Sequence, residues 1–310
     1  MTPNRRQFLN LVAGASAATI LSAAPQDAFA SYPFPISSNT YNWYTFYGRQ
    51  NKNWGEDLDA CIAEYAKSGL TAYEPSFNSA EEVAKLGTVL KKYQIAMPSV
   101  YVNSLLHKTD EAAKSIASVL AIADEVKKYG TKIMVTNPTP IRWGGEEVKT
   151  DAELNLQAAS LDKLGAALRQ KGITLAYHTH DVEMKAGARE FHHMLLNTSP
   201  LNMSFCFDVH WIYRGSQNSQ NAVFDVLKLY GKRVVELHLR QSVNGVWSET
   251  FGDGDIDYRR FAAELKKLNL RPNLVIEQCV EDKSPNTLDA LQAHIKDLAA
   301  VKDVFKPILG

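Results

Sequence analysis

ITLAYHTH (173–180), MSFCFD (203–208), VVELH (234–238) and NLVIE (273–277) are four short apolar runs, and each closes on a side chain able to hold a cation. Those side chains are His178 with His180 just behind it, Asp208, His238 and Glu277. Thirty residues separate His178 from Asp208, thirty more lead to His238, and thirty-nine to Glu277. Each gap has room for a strand's return helix and little else. Parallel strands of a barrel would therefore bring all four to one rim. Two imidazoles and two carboxylates there suit one divalent metal ion: Mn, Mg, Co or Zn.

Outward from these runs, strand-like and helix-like segments alternate without a low-complexity linker. Strands are expected near 34–40, 71–76, 95–100, 132–137, 173–178, 203–208, 233–239 and 273–278. Amphipathic stretches fall near 56–68, 79–93, 109–129, 151–171, 187–196, 219–230, 258–268 and 285–303. In the third of these, Ile116, Val119, Leu120, Ala123 and Val126 recur at the helical period, and Gly130 closes the helix. Eight alternations predict an α/β fold, a single (β/α)8 TIM barrel over 31–310, and a chain of 310 residues exceeds the roughly 250 that such a barrel uses. An open doubly wound sheet would carry a Gly-rich phosphate turn after its first strand, and YNWYTFYGRQ (41–50) is not one.

Thirty-four basic side chains balance thirty-four acidic ones, so no global field draws nucleic acid or an anionic membrane. Cys61, Cys206 and Cys279 lie in apolar segments without paired spacing and read as small buried hydrophobes. Residues 1–30 read as a cleavable twin-arginine signal: Arg5-Arg6-Gln7-Phe8-Leu9, an apolar stretch from Leu11 to Ala24, then Ala28-Phe29-Ala30. The apolar stretch is too short for a stable membrane anchor. The expectation is a periplasmic protein, cleaved after about Ala30 and handled by export machinery for folded proteins, which would allow a metal to be loaded beforehand.

Barrel chemistry sits at the carboxyl ends of the strands. Those ends read Asn39 with Tyr41, Glu74, Ser99 with Tyr101, Asn137, His178 with His180, Asp208 with His210, His238 with Arg240, and Glu277. Polar groups ending apolar runs are costly unless they bind something. Arg240 could anchor a substrate hydroxyl or carboxylate, or pair with Glu236 or a loop acid. His210 shares a side with Asp208 by strand alternation and reads as a substrate contact. Glu74 reads as a hydrogen-bonding residue behind the ligands or at the substrate. Tyr41, Trp43, Tyr44, Tyr47, Trp143, Trp211 and Tyr213 could stack on the apolar faces of sugar rings or pack on the barrel top.

Tyr177-His178-Thr179-His180-Asp181-Val182-Glu183-Met184 resembles the YHNHDFEF signature of one branch of the xylose-isomerase-like barrels, the sugar phosphate isomerase/epimerase family. Phe207-Asp208-Val209-His210-Trp211 is similar to that branch's D-V-x-W, His238-Leu239-Arg240 to its H-x-K, Gly252-Asp253-Gly254-Asp255-Ile256-Asp257 to its G-x-G-x-I-D loop, and Val275-Ile276-Glu277-Gln278 to its V-x-E ending. The resemblance spans 34–305. It implies one divalent metal on His178, Asp208, His238 and Glu277, and a small-molecule carbohydrate substrate. The expected activity is isomerisation or epimerisation of a sugar or keto-sugar by proton abstraction alpha to a carbonyl. Glu277 and His178 or His180 are the proton-transfer candidates, and Tyr41, Glu74, Trp211, His210 and Arg240 the substrate contacts. The family's epimerases place Glu where this chain has His178, or His180 if the strand ends later. That departure brings in a lyase or dehydratase on a keto-sugar or keto-glycoside as the alternative. A non-catalytic periplasmic carbohydrate-binding protein is the alternative of another class. Oligomeric state is left open by the sequence.

Overall fold

Alternate residues of eight short parallel strands turn toward a common axis, and the side chains they place there position everything that follows. The computed structural model describes residues 34–309, so the segment read as an export signal lies outside the described residues. The strands are β1 (Ser37–Asn39), β2 (Ala72–Glu74), β3 (Ser99–Ser104), β4 (Ile133–Pro138), β5 (Thr174–Tyr177), β6 (Met203–Asp208), β7 (Val234–Leu239) and β10 (Asn273–Ile276). Their order around the sheet is β2-β1-β10-β7-β6-β5-β4-β3, every neighbour parallel. The remaining seam, β2 against β3, is closed by the bridges Ala72↔Ala96 and Ser76↔Tyr101. Pro75 and Pro98 flank it, and a residue without an N–H cannot extend a ladder. The result is the expected (β/α)8 barrel.

Helices α1 (Thr40–Arg49), α2 (Leu58–Lys67), α3 (Ala80–Lys92), α4 (Thr109–Val126), α5 (Asp151–Gln170), α6 (Lys185–Leu196), α7 (Val209–Gly215), α8 (Gln220–Tyr230), α9 (Tyr258–Lys267) and α10 (Ala290–Val304) surround it, with α11 (Lys306–Leu309) at the end. Their apolar faces and the outward strand residues form the main core, while Ile133, Val135, Ala176 and Cys206 form a small separate cluster inside the barrel. All three cysteines are buried and free. No described helix is long and apolar enough to cross a membrane.

The third strand departs from expectation. Ile95–Met97 approaches as a bridge rather than a strand, Pro98 interrupts it, and β3 runs on to Ser104. Ser99 thus lies at the strand's start, buried beside Asn273, and Tyr101 and Asn103 take the places nearer the rim. Helices α1 and α7 lie outside the expected amphipathic stretches. Asn39 Oδ1 accepts the Tyr41 N–H at 2.7 Å and Asp208 Oδ1 the Trp211 N–H at 2.7 Å, so each strand-ending residue also caps a helix. A hairpin of β8 (Ser242–Val243) and β9 (Val246–Trp247) follows β7. Its turn, Asn244-Gly245, has φ of +53° and +78°, the left-handed pair that tight hairpins require.

Candidate metal and substrate site

His178, Asp208, His238 and Glu277 are all buried, and one ligand atom from each lies within 4.8 Å of the others. The register explains the convergence: Asp208 stands opposite His238 on β6 and β7, and His238 opposite Val275 on β10. His178 Nε2 is 3.4 Å from Asp208 Oδ2, and His238 Nδ1 is 3.4 Å from Glu277 Oε2. Both ring nitrogens of His178, Nδ1 of His238 and Oδ2 of Asp208 have no hydrogen-bond partner. Buried polar atoms left this way are costly, so the donor set fits a cation that would take one atom from each residue.

A second layer orients the first. His238 Nε2 faces Glu74, at 3.3 Å from Oε1 and 3.2 Å from Oε2, and Asn39 Nδ2 donates to Glu74 Oε2 at 2.6 Å. One nitrogen of the ring is thereby committed to a carboxylate while the other turns to the cluster, an arrangement that fixes tautomer and ring angle. Burial pushes the Glu74 carboxyl up to about 7, against the pull of His238. Burial opposes a charge on His238, yet Cys206, Glu74 and Glu277 around it raise its pKa well above the usual range. For Glu277 burial is outweighed by Arg240, then His238, which hold it far below the ordinary carboxylate value. Arg240 Nη2 lies 2.8 Å from Glu277 Oε2, and its Nη1 is buried without a partner. Its guanidinium sits 5.1 Å from the Trp211 ring centroid and 4.3 Å from that of Trp247. Arg240 thus pairs with Glu277, and not with Glu236, whose carboxylate accepts from Asn273 Nδ2 at 2.5 Å.

Above the quartet opens a cavity of about 470 Å³. Its floor carries Asn39, Arg240 and Glu277; its walls carry Tyr41, Tyr101, Trp143, His180, Asp181, Trp211 and Trp247, with Ser76 and Asn103 on the β2–β3 side. His180 is in the wall, outside the quartet. Its ring lies 4.8 Å from His178, 5.0 Å from Trp143 and 5.3 Å from Trp211, and its Nδ1 has no partner. Burial, then His178, lowers its pKa well below the usual range, so the resting ring is neutral. The His180 N–H donates to Glu183 Oε2 at 2.7 Å, and Asn137 Nδ2 holds the other oxygen at 3.0 Å.

Of the expected substrate contacts, Tyr41, Trp211 and Arg240 line the cavity. Glu74 lies behind His238. His210 is fully buried, 3.0 Å from Ser242 Oγ, and is not among the lining residues. Strand alternation does not reach it, because β6 stops at Asp208 and α7 begins at the next residue. Trp43 and Tyr47 pack into the core, Trp43 stacking on His294 at 4.2 Å. Trp247, Tyr101, Asn103 and Asp181 line the cavity without having been expected there as substrate contacts. The Asn244-Gly245 turn signal could have found Trp247, since it predicts a hairpin folding back over the rim.

A family model described as xylose isomerase-like TIM barrel matches residues 62–298. An inosose dehydratase of Clostridium perfringens is 24% identical over 275 residues, covering 79% of this chain and 89% of that protein. Among solved structures, an L-ribulose 3-epimerase superposes with a TM-score of 0.68 at 13% identity, covering 88% of this chain and 94% of that one. A D-psicose 3-epimerase of Clostridium cellulolyticum, solved with D-tagatose, gives 0.67 at 14% identity and coverage of 89% and 99%. A xylose isomerase-like TIM barrel protein of Mycobacterium smegmatis, solved with magnesium, gives 0.63 at 14% identity and coverage of 89% and 98%.

Proposed function

The chain belongs to the xylose isomerase-like TIM barrel family, and on that premise we propose that it is a divalent-metal-dependent carbohydrate lyase of the dehydratase type, removing a proton alpha to a carbonyl and expelling a beta substituent. The observation that carries this reading is the quartet of converging ligand atoms beneath a cavity whose wall presents one imidazole with an unpartnered Nδ1. His178, Asp208, His238 and Glu277 would hold the cation, which when bound supplies Lewis-acid polarisation of a substrate carbonyl.

The chain's own groups divide the remaining work. His180 Nδ1 takes the proton from the carbon next to the carbonyl. The electron pair left behind forms the new carbon–carbon double bond as the beta oxygen departs, and the same imidazolium hands that oxygen its proton. Arg240 offers Nη1 to a substrate oxygen. Elimination is preferred over epimerisation because epimerisation needs a second proton carrier on the opposite face. The strand-five position that carries Glu in the epimerases is here His178, a member of the quartet, and Glu277 is neutralised by Arg240. The inosose dehydratase relatives point the same way. Isomerisation or epimerisation is the second reading, and Asp181, an acidic residue of the cavity lining, is what supports it. Export by the signal read in residues 1–30 would put the enzyme in the periplasm, where an unphosphorylated substrate suits it.

The test is metal content of the purified protein together with deuterium uptake from D₂O into keto-sugars and keto-cyclitols. We expect about one metal per chain, exchange at the carbon alpha to the carbonyl with loss of a beta substituent, and loss of both in His180→Gln with metal retained. Absence of metal from native and Mn-supplemented protein overturns the reading. Sugar binding without exchange makes the protein a carbohydrate-binding one.

A further inference from the structure

The cavity is graded from floor to mouth. Asn39, Arg240 and Glu277 at its floor are buried, whereas the two outermost aromatic residues that line it, Trp143 and Tyr41, are 54% and 50% exposed. They come from opposite sides of the barrel, Trp143 from the loop after β4 and Tyr41 from the start of α1 after β1. Gly144, with φ of +69°, turns the chain immediately after Trp143, and that φ favours a glycine. Lys185 Nζ ties the loop down, donating to the Gly145 carbonyl at 2.6 Å and pairing with Glu146 at 3.2 Å. The indole meets the His180 ring edge to face at 5.0 Å, so it is held over the reacting end of the cavity while half its surface faces solvent.

A volume of about 470 Å³ falls in the range, roughly 300–1,000 Å³, of pockets that enclose drug-sized ligands rather than a single small ring. The floor, with Arg240 Nη1 open and the quartet beneath it, has polar groups for one ring of hydroxyls and a carbonyl. The mouth sets the apolar faces of Trp143 and Tyr41 among the exposed polar residues Ser76, Asn103 and Asp181, which suits a second ring stacked outside the first with its hydroxyls toward those groups.

We infer that Trp143 and Tyr41 form an outer subsite for the second ring of a two-ring glycoside, an aryl glycoside or a disaccharide, whose first ring lies over the metal quartet. This deepens the proposed function and rests on it: the first ring carries the carbonyl, its glycosidic carbon is the beta carbon, and the departing beta group is the outer ring's oxygen. The bond to that oxygen breaks as the double bond forms, and the oxygen leaves as an alcohol or phenol carrying the proton taken from carbon.

The experiment compares binding of methyl and phenyl β-D-glucosides, and the matching galactosides, to the Mn-loaded full chain by calorimetry and tryptophan fluorescence. In at least one configuration the phenyl glycoside binds about tenfold tighter than the methyl glycoside. Trp143→Ala brings that ratio near one, and Trp143→Phe keeps most of it. Trp143 is half exposed, so neither variant threatens the core. Equal affinity of the methyl and phenyl probes, or a ratio unchanged in Trp143→Ala, overturns the outer subsite alone and leaves the proposed chemistry standing on the exchange experiment. Binding of no probe, with exchange into free keto-sugars intact, also overturns the subsite. Failure of both binding and exchange overturns the subsite together with the reading beneath it.

Discussion

Arg240 grips Glu277 at two points: Nη2 lies 2.8 Å from the carboxylate Oε2, and Nε donates to the Glu277 main-chain carbonyl at 2.8 Å. Both residues are nearly inaccessible to solvent, so each charge depends on the other. Arg240→Met leaves the buried carboxylate without its cationic partner, which costs roughly 3–5 kcal/mol. Thermal unfolding of the metal-free variant should show a large drop in Tm. Added Mn²⁺, by countering the exposed charge, should recover more Tm in the variant than it adds to the parent. Equal gains would show that Glu277 does not face the cation.

Asp208 has two duties that substitution can separate. Its Oδ1 caps α7 through the Trp211 N–H, while Oδ2 faces the quartet. Asn keeps a cap acceptor and removes the charge. Asp208→Asn should therefore unfold within about 1 kcal/mol of the metal-free parent and yet purify with little metal. Asp208→Ala should lose the cap as well, by a further ~1 kcal/mol.

Glu74 touches no lining surface of the cavity, yet it orients the His238 ring. Glu74→Gln should weaken metal binding about 10- to 100-fold, read by competition with a chelator of known affinity. Unchanged affinity would show that His238 needs no such support.

His294 lies far from the quartet in sequence and contact, buried on α10 with Nδ1 2.6 Å from the Ala290 carbonyl and its ring stacked on Trp43. Burial pushes its pKa down to about 4. The folded state thus disfavours the proton, and the stability it contributes is complete above the unfolded value near 6.5 and lost as pH falls from there toward 4. The loss is on the order of 3 kcal/mol across that window. Denaturant titrations at pH 7 and pH 4.5 should show it, and His294→Phe should flatten that part of the dependence.

Gly165, inside α5, would carry a Cβ 1.9 Å from the Asn202 carbonyl oxygen. Helix propensity favours alanine there by about 1 kcal/mol, but the clash is with backbone that cannot swing away. Gly165→Ala should therefore destabilise, by about 1–3 kcal/mol or more, measured by chemical denaturation; a stabilised variant would show that the α5–β6 approach can relax.

The ligand quartet was legible because each member ends a clean apolar strand, and strand ends in a barrel share a rim whatever the helices between them do. What the sequence could not show depended on tertiary pairing. Whether His178 or His180 joins the quartet turns on where β5 stops, a matter of one or two residues. Arg240 was open between a substrate oxygen, Glu236 and a loop acid, and its partner, Glu277, comes from the end of the neighbouring strand β10, a pairing only the barrel register reveals. Helices α1 and α7 were hidden by their aromatic content, although Asn39 and Asp208 carried the cap signal in plain view. The shift of β3 past Pro98 moved Ser99 to the base and brought Asn103 to the rim, and hydropathy alone does not distinguish a bridge from a strand.

Seven of the barrel's eight seams are strand ladders, the one between β6 and β7 shifting register at Phe205 and Cys206; the eighth, between β2 and β3, is stitched by the bridges on either side of Pro75 and Pro98. A split ring spreads at its gap. Glu74, behind the quartet, and Tyr101, in the cavity wall, stand on the two lips of that gap, so the seam divides a residue that orients a ligand from one that lines the cavity. The gap thus falls on the side of the barrel that carries no ligand of the quartet, while β5, β6, β7 and β10, which carry all four, are joined by ladders.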